Sequence, residues 1–113
     1  MADSIFTKIY KKEILSEIVY EDDFVFAIND INPIAPIHIL IIPKVEIQTI
    51  NDIDAHNEAI IGKIILAAKH IASQKGIAEN GYRLIFNCND DGGQTVFHIH
   101  CHLLAGRKLT WTA

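Results

Sequence analysis

Apolar and polar positions change period several times along this chain, and each change marks an element. Ile5, Phe6 and Ile9 recur at helical spacing behind Ser4, a good N-cap, which predicts a short helix over Ser4 to Tyr10. Glu17 to Tyr20 and Phe24 to Ile28 read as strands. The acidic turn Glu21-Asp22-Asp23 joins them into a hairpin. Asn32 to Pro36 carries two prolines, which fix φ and remove donors, so it reads as an ordered loop. Ile37 to Ile42 is a continuous apolar run and predicts a strand buried on both faces.

Asp54 to Lys75 predicts the one long helix, with an apolar stripe through Ile61, Ile64 or Ile65, Ala68, Ile71 and Ala72. Asn51 or Asp52 is the expected cap and Gly76 the stop. His56 and His70 read as solvated positions on it. Tyr82 to Phe86 is a fourth strand, and Phe97 to Leu104 a fifth, antiparallel to it. The pattern therefore counts five strands, one long helix and a short N-terminal helix.

The fifth strand concentrates the chemistry. His98, His100 and His102 occupy every second position, with Phe97, Ile99, Cys101 and Leu103 between them. On a strand this puts three imidazoles on one face, roughly 6.6 Å apart, and the apolar set on the core face. Neighbouring imidazolium ions repel, so at least one ring is expected neutral at pH 7, with a lone pair free for a metal, a proton or a phosphorus atom. His38 lies inside the buried strand. Taken alone it reads as a core histidine satisfied by a backbone carbonyl.

Asn87 to Thr95 precedes the histidine run and hangs over the same end of the sheet. Gly92-Gly93 allows close approach of backbone amides to an anion, and Gln94 and Thr95 add an amide and a hydroxyl, which suits a phosphate. A plain hairpin connection is the commoner meaning of two glycines. A calcium loop does not fit, since the alternating ligands and distal Glu are missing.

Composition sets limits on partners. The chain has 113 residues, the size of a single domain over residues 1–113, and half of them are apolar. A formal charge of −4 without a basic stripe argues against nucleic acid. No run approaches a membrane span, and Met1-Ala2-Asp3-Ser4 lacks a signal-peptide pattern. Two cysteines, Cys88 and Cys101, without a Cys-x-x-Cys pairing fit a reducing, cytoplasmic setting.

His98 to Leu104 matches His-φ-His-φ-His-φ-φ, where φ is apolar, and so resembles the histidine-triad superfamily. Further segments resemble its nucleotide-binding (Hint) branch: Asp3 to Ile9, Asp30-Ile31-x-Pro33-x-Ala35-Pro36-x-His38, Ile42-Pro43-Lys44, Gly81-Tyr82-Arg83, Asp91 to Thr95 and Gly106-Arg107. The resemblance covers nearly the whole chain. It implies an α+β fold, a five-stranded antiparallel sheet with one long helix and a short N-terminal helix. It also implies a purine nucleoside phosphoramidase or nucleotidyl hydrolase acting on purine nucleoside monophosphate derivatives, including aminoacyl adenylates, as a homodimer with a continuous sheet.

By the same resemblance, His100 would be the nucleophile, its second nitrogen donating to a carbonyl that fixes the tautomer. His102, Gly93, Gln94 and Thr95 would hold phosphate oxygens, with Thr95 on the leaving-group side. His98 would complete the triad, with His38 packed behind it. Asp30, with Ile31 beside it, would take the ribose hydroxyls, and Asn87 would sit beside the phosphate. Phe6, Ile9, Ile28 and Ile31 would form the purine slot. No cofactor is implied. Some relatives hold zinc through Cys near Ile5 and Thr7, and no Cys precedes Cys88 here. Two other readings share these residues: a zinc protein using the triad, and a nucleotide-binding regulator with little turnover. The resemblance also places Trp111 and the tail near the partner subunit's leaving-group side.

Overall fold

The strand buried on both faces is the centre of the molecule. In the computed structural model, which describes residues 3–112, it runs Ile37–Pro43 (β3) and is buried along almost its whole length. Ile18–Glu21 (β1) and Val25–Asn29 (β2) precede it, and Arg83–Phe86 (β4) and Cys101–Ala105 (β5) follow. The sheet order is β1-β2-β3-β5-β4, with every neighbouring pair antiparallel. The expectations placed on Met1 and Ala2 lie outside the described residues.

Alternation along β3 divides the core in two. Ile39 and Ile41 point with Val25, Ala27, Cys101 and Leu103 toward the long helix Ala59–Gln74 (α2), which meets them with Ile64, Ala67, Ala68, Ile71 and Ala72. Leu40 and Ile42 point the other way with Phe26 and Ile28, under Phe6 and Ile9 of the short helix Ile5–Tyr10 (α1). The ladders pair Leu40 with His102 and His38 with Leu104, so both histidines share the α1 face.

The sheet and both helices match the expected architecture, and the bounds differ where local bonding competes. The long helix begins at Ala59, five residues later than expected. Asp54 and Asn57 close a turn instead: Asp54 Oδ1 accepts from the His56 amide at 2.8 Å, and Asn57 Oδ1 from the Asp54 amide at 2.7 Å. Asn51 and Asp52, expected to cap the helix, lie instead in a short 3₁₀ turn, Ile50–Asp52, which Thr49 caps, and the N-cap of the long helix is Glu58, without a side-chain bond. The far end closes as expected. Ile77 N–H reaches Ala72 O at 3.0 Å and Gly76 N–H reaches Ser73 O at 3.2 Å, the paired bonds of a Schellman motif.

The larger correction concerns the fifth strand. The β5 ladder begins only at Cys101, so His98 and His100 lie in the segment that leads into it. Alternation survives there without the ladder: Ile99 joins the α2-side core, and its amide donates to Ile47 O at 2.8 Å. Phe97, expected in the core, is exposed. Among the described residues no helix is long and apolar enough to cross a membrane.

Candidate active site

The three triad histidines do not form a solvent-facing row. His98 is 0 % exposed and His100 8 %, because α1 and the stretch after β3 cover them. The Phe6 ring meets both edge-on, with centroids 5.7 Å from His98 and 5.0 Å from His100. His98 uses both ring nitrogens: Nε2 lies 2.7 Å from Pro43 O and Nδ1 2.6 Å from Ser4 Oγ. A carbonyl only accepts, so Nε2 carries the proton and the Ser4 hydroxyl donates to Nδ1. Its ring is fully engaged and unavailable to a ligand.

The main chain of His98 acts on its neighbour. His100 Nδ1 donates to His98 O at 2.8 Å, which puts the proton on Nδ1 and leaves the lone pair on Nε2. No buried side-chain nitrogen or oxygen among the described residues lacks a partner. His100 Nε2 has none in the protein, so it lies at the surface of the cavity that His100 lines.

His102 acquires the opposite polarity. The Ile34 amide donates to His38 Nδ1 at 3.2 Å, so His38 carries its proton on Nε2. That proton faces His102 Nδ1 at 2.9 Å and Asp30 Oδ2 at 3.3 Å. His102 Nδ1 therefore accepts, and His102 Nε2–H is left as a donor. One ring presents a lone pair and the next an N–H, their centroids 5.1 Å apart. His38 is not held by a carbonyl, as it would be if it were only a core residue.

Burial keeps these rings neutral. It pushes His38, His98 and His100 below the ordinary histidine value, against opposing pulls from Asp30 on His38, the Pro43 carbonyl on His98 and the His98 carbonyl on His100. His102 is pushed down to about 4, by burial first and then by the His100 and His38 rings. All four are neutral at pH 7.

A cavity of about 390 Å³ opens over His100 and His102. Asp30 and Thr95 stand on its polar side, and Phe6, Ile9, Ile28 and Ile31 on its apolar side, as expected from sequence. Asn87, Gly93 and Gln94 are not brought to it. The Gly93 amide bonds Asp90 O at 3.0 Å and the Gln94 amide bonds Asn89 O at 3.1 Å, so neither is offered to an anion. The Gln94 side chain is also engaged, giving Nε2 to Gln48 O and Val96 O and accepting the Asn89 amide. Gly93 has φ +82°, and a Cβ on Gly92 would sit 2.6 Å from Cys88 O. The glycines build a tight turn that sets Thr95 over the site; they do not form an amide cradle. Of the wall residues not expected there, Ile5, Asn29, Leu40 and Val96 sit beside expected ones, while Ile14, Leu15 and Ser16 form a stretch between α1 and β1 that the sequence pattern did not place. Their one signal was an apolar pair that no periodicity explains.

Asp30, His38 and His102 bring three ligand-type atoms within 4.8 Å. They fit zinc poorly. The two ring nitrogens point at each other across a shared proton at 2.9 Å, whereas two nitrogens on tetrahedral zinc stand about 3.3 Å apart, given bonds of about 2.0–2.1 Å. His98 and His100 converge on no ion with them, so the triad is not a ligand set.

The geometry is that of a buried imidazole lone pair and an adjacent N–H donor over an apolar slot, and known proteins of similar sequence share the scaffold. The chain is 57 % identical over 107 residues to a purine nucleoside phosphoramidase of Escherichia coli (strain K12), covering 95 % of this chain and 90 % of that protein. A HIT family hydrolase from Legionella pneumophila Philadelphia 1 superposes with a TM-score of 0.93 at 48 % identity, covering 96 % of this chain and 97 % of that one. A histidine triad nucleotide-binding protein from Candida albicans superposes with a TM-score of 0.82 at 30 % identity, covering 98 % and 84 %. The HIT domain family model matches residues 11–109, and with these relatives it establishes that the chain belongs to the HIT domain family.

Proposed function

We propose that this protein hydrolyses purine nucleoside 5′-phosphoramidates and related adenylates, aminoacyl adenylates among them, through a nucleotidyl-His100 intermediate. The observation that carries the proposal is the 2.8 Å bond from His100 Nδ1 to His98 O, which leaves Nε2 as the lone pair at the cavity. In this reading Nε2 attacks the α-phosphorus and the P–N bond breaks. Its electron pair goes to the amine, which takes a proton from water. His100 becomes a phosphorylated imidazolium, whose remaining N–H⁺ the His98 carbonyl stabilises. Water then attacks phosphorus and the P–Nε2 bond breaks, its electron pair returning to neutral His100. The monophosphate leaves, and the proton shed by the attacking water neutralises the hydroxide left when the amine was protonated. His102 Nε2–H and the Thr95 hydroxyl donate to phosphate oxygens as charge moves onto them.

The rest of the cavity supports a purine ligand. Asp30 Oδ1 is engaged by the Asn32 amide at 2.8 Å, which orients the carboxylate so that Oδ2 can serve both His38 and a ribose hydroxyl. Phe6, Ile9, Ile28 and Ile31 offer a base only apolar contact, which suits purines without choosing between adenine and guanine. β4 pairs with β5 alone, and its open edge supports a homodimer with a continuous sheet.

The test is turnover of an adenosine phosphoramidate in EDTA, with mass spectrometry of the quenched enzyme. Release of AMP and a nucleotidyl adduct on His100 are expected. AMP binding without turnover would make the protein a nucleotide-binding regulator, and loss of activity restored by zinc would make it a metalloenzyme.

A further inference from the structure

The most heavily bonded polar cluster outside the reacting groups lies where α1 meets the histidine segment. It joins three stretches of chain: Ser4 to Thr7, Pro43 to Glu46, and His98 to His100. The Ser4 amide donates to Glu46 Oε1 at 2.7 Å, and the Thr7 hydroxyl donates to the same oxygen at 3.0 Å. Ser4 Oγ accepts the Thr7 amide at 3.1 Å and gives its one proton to His98 Nδ1 at 2.6 Å. His98 Nε2–H then donates to Pro43 O at 2.7 Å. Thr7 Oγ1 is a second acceptor for the Ser4 proton at 3.2 Å, but the His98 bond is the shorter, and Ser4 is the one donor to Nδ1 once Nε2–H is committed to the Pro43 carbonyl.

We propose that Ser4 is a positioning residue for His100: the hydrogen-bonded strap from Glu46 through Ser4 to His98 holds the His98 carbonyl that sets the His100 tautomer, and ties the α1 wall of the cavity to the nucleophile. The proposal deepens the phosphoramidase reading and rests on it for its kinetic arm. The physical reason is the burial of His98. With no solvent to replace it, a missing Ser4 donor leaves Nδ1 unsatisfied. The bare Nδ1 lone pair then faces the Glu46 carboxylate, whose Oε1 lies 3.9 Å away and also only accepts, so the ring turns or shifts away from it, and the carbonyl of the same residue moves with the ring. His100 loses the acceptor that kept its proton on Nδ1.

The alternative is that Ser4 only caps α1, a role that the Thr7 bond also supports. Glycine separates the two, since it is a tolerable N-cap and alanine is a poor one, while neither has a hydroxyl. Ser4→Gly, Ser4→Ala and Ser4→Thr are compared with the wild type by ring ¹⁵N NMR of His98 and His100, and by kcat and KM on an adenosine phosphoramidate. In the wild type His100 is expected to be protonated at Nδ1. In both Ser4→Gly and Ser4→Ala a mixture of tautomers is expected, with kcat lower by about five- to tenfold and KM little changed. Ser4→Thr restores both readouts. A wild-type-like Ser4→Gly beside a weakened Ser4→Ala would reduce Ser4 to a cap, and an unchanged His100 tautomer in both would overturn the strap. A wild type without phosphoramidase turnover overturns the proposed function instead, and the NMR arm still decides the role of Ser4.

Discussion

The two faces of the central sheet are built from the same strands and carry opposite contents. On the α2 side lies an apolar cluster that runs from Val25 to Ala105. On the α1 side an apolar cluster stops at Leu40, and His38 and His102 continue the same face of β3 and β5. A short helix covers the second face only in part, and the uncovered part is the cavity. The difference teaches how one alternating pattern can separate stability from chemistry: the long helix closes an apolar cluster over the middle of its side, and the short one leaves a low-dielectric opening in which neutral imidazoles persist.

The sharpest way to break the comparison is to remove one residue from each face. His100→Ala is expected to lower turnover by roughly 10⁴-fold or more, as loss of a nucleophile does, while thermal unfolding and AMP binding stay near wild type. Hydrolysis at the wild-type rate would place the nucleophile elsewhere. Ile41→Ala on the α2 side should do the reverse. It empties a fully buried site and should cost about 2–5 kcal/mol in denaturant unfolding, with kcat per folded molecule retained.

Acid sharpens the contrast further. An ordinary histidine titrates near 6.5, and all four site histidines lie below that value, His102 at about 4. Between those limits the unfolded chain binds protons that the native site does not. Stability therefore falls as pH drops from about 6.5 toward 4, and rises again with pH. Turnover is expected to stay flat as pH falls through 6.5, with its acid limb lower. A limb at or above 6.5 in kcat/KM would mean that the rings are solvated in solution.

How much of this was legible in the sequence follows from which interactions are local. The sheet, both helices and the α2-side core are written as periodicities, so Ile37 to Ile42 announces a strand buried on both faces without further help. The partners of His98 are not legible that way. Ser4 and Pro43 lie 94 and 55 residues from it along the chain, and only the folded α1 brings them over the ring. The same separation hid the burial of His98 and His100, since a period-two pattern cannot say what covers its polar face. Gln94 misled for a different reason. A side-chain amide beside two glycines looks the same in sequence whether it faces a ligand or braces its own loop.

The smallest expected effect is in the tail. Trp111 is 94 % exposed on the single chain, and beside it Thr110 O accepts from Arg83 Nη1 at 2.7 Å. Arg107 Nη2 donates to Ile34 O at 3.0 Å, so a truncation that includes Arg107 also disturbs the loop behind His38. Removing residues 111–113 avoids this. If the tail reaches the partner's site, that truncation should change the preference among leaving groups by a few-fold, about 1 kcal/mol or less, with AMP affinity unchanged. Identical specificity profiles in two confirmed dimers would exclude it.

The polarity of the His38–His102 pair begins at the Ile34 amide, and that has an evolutionary consequence. A peptide N–H does not ionise over any physiological pH, and no side chain at position 34 short of proline's ring removes it. The orientation of two functional rings is thus inherited from the main chain. Ile34 itself is about half exposed, so its side chain is free to drift under mutation. Proline is the one genetically encoded residue that would delete the donor, and with it the asymmetry between neighbouring histidines.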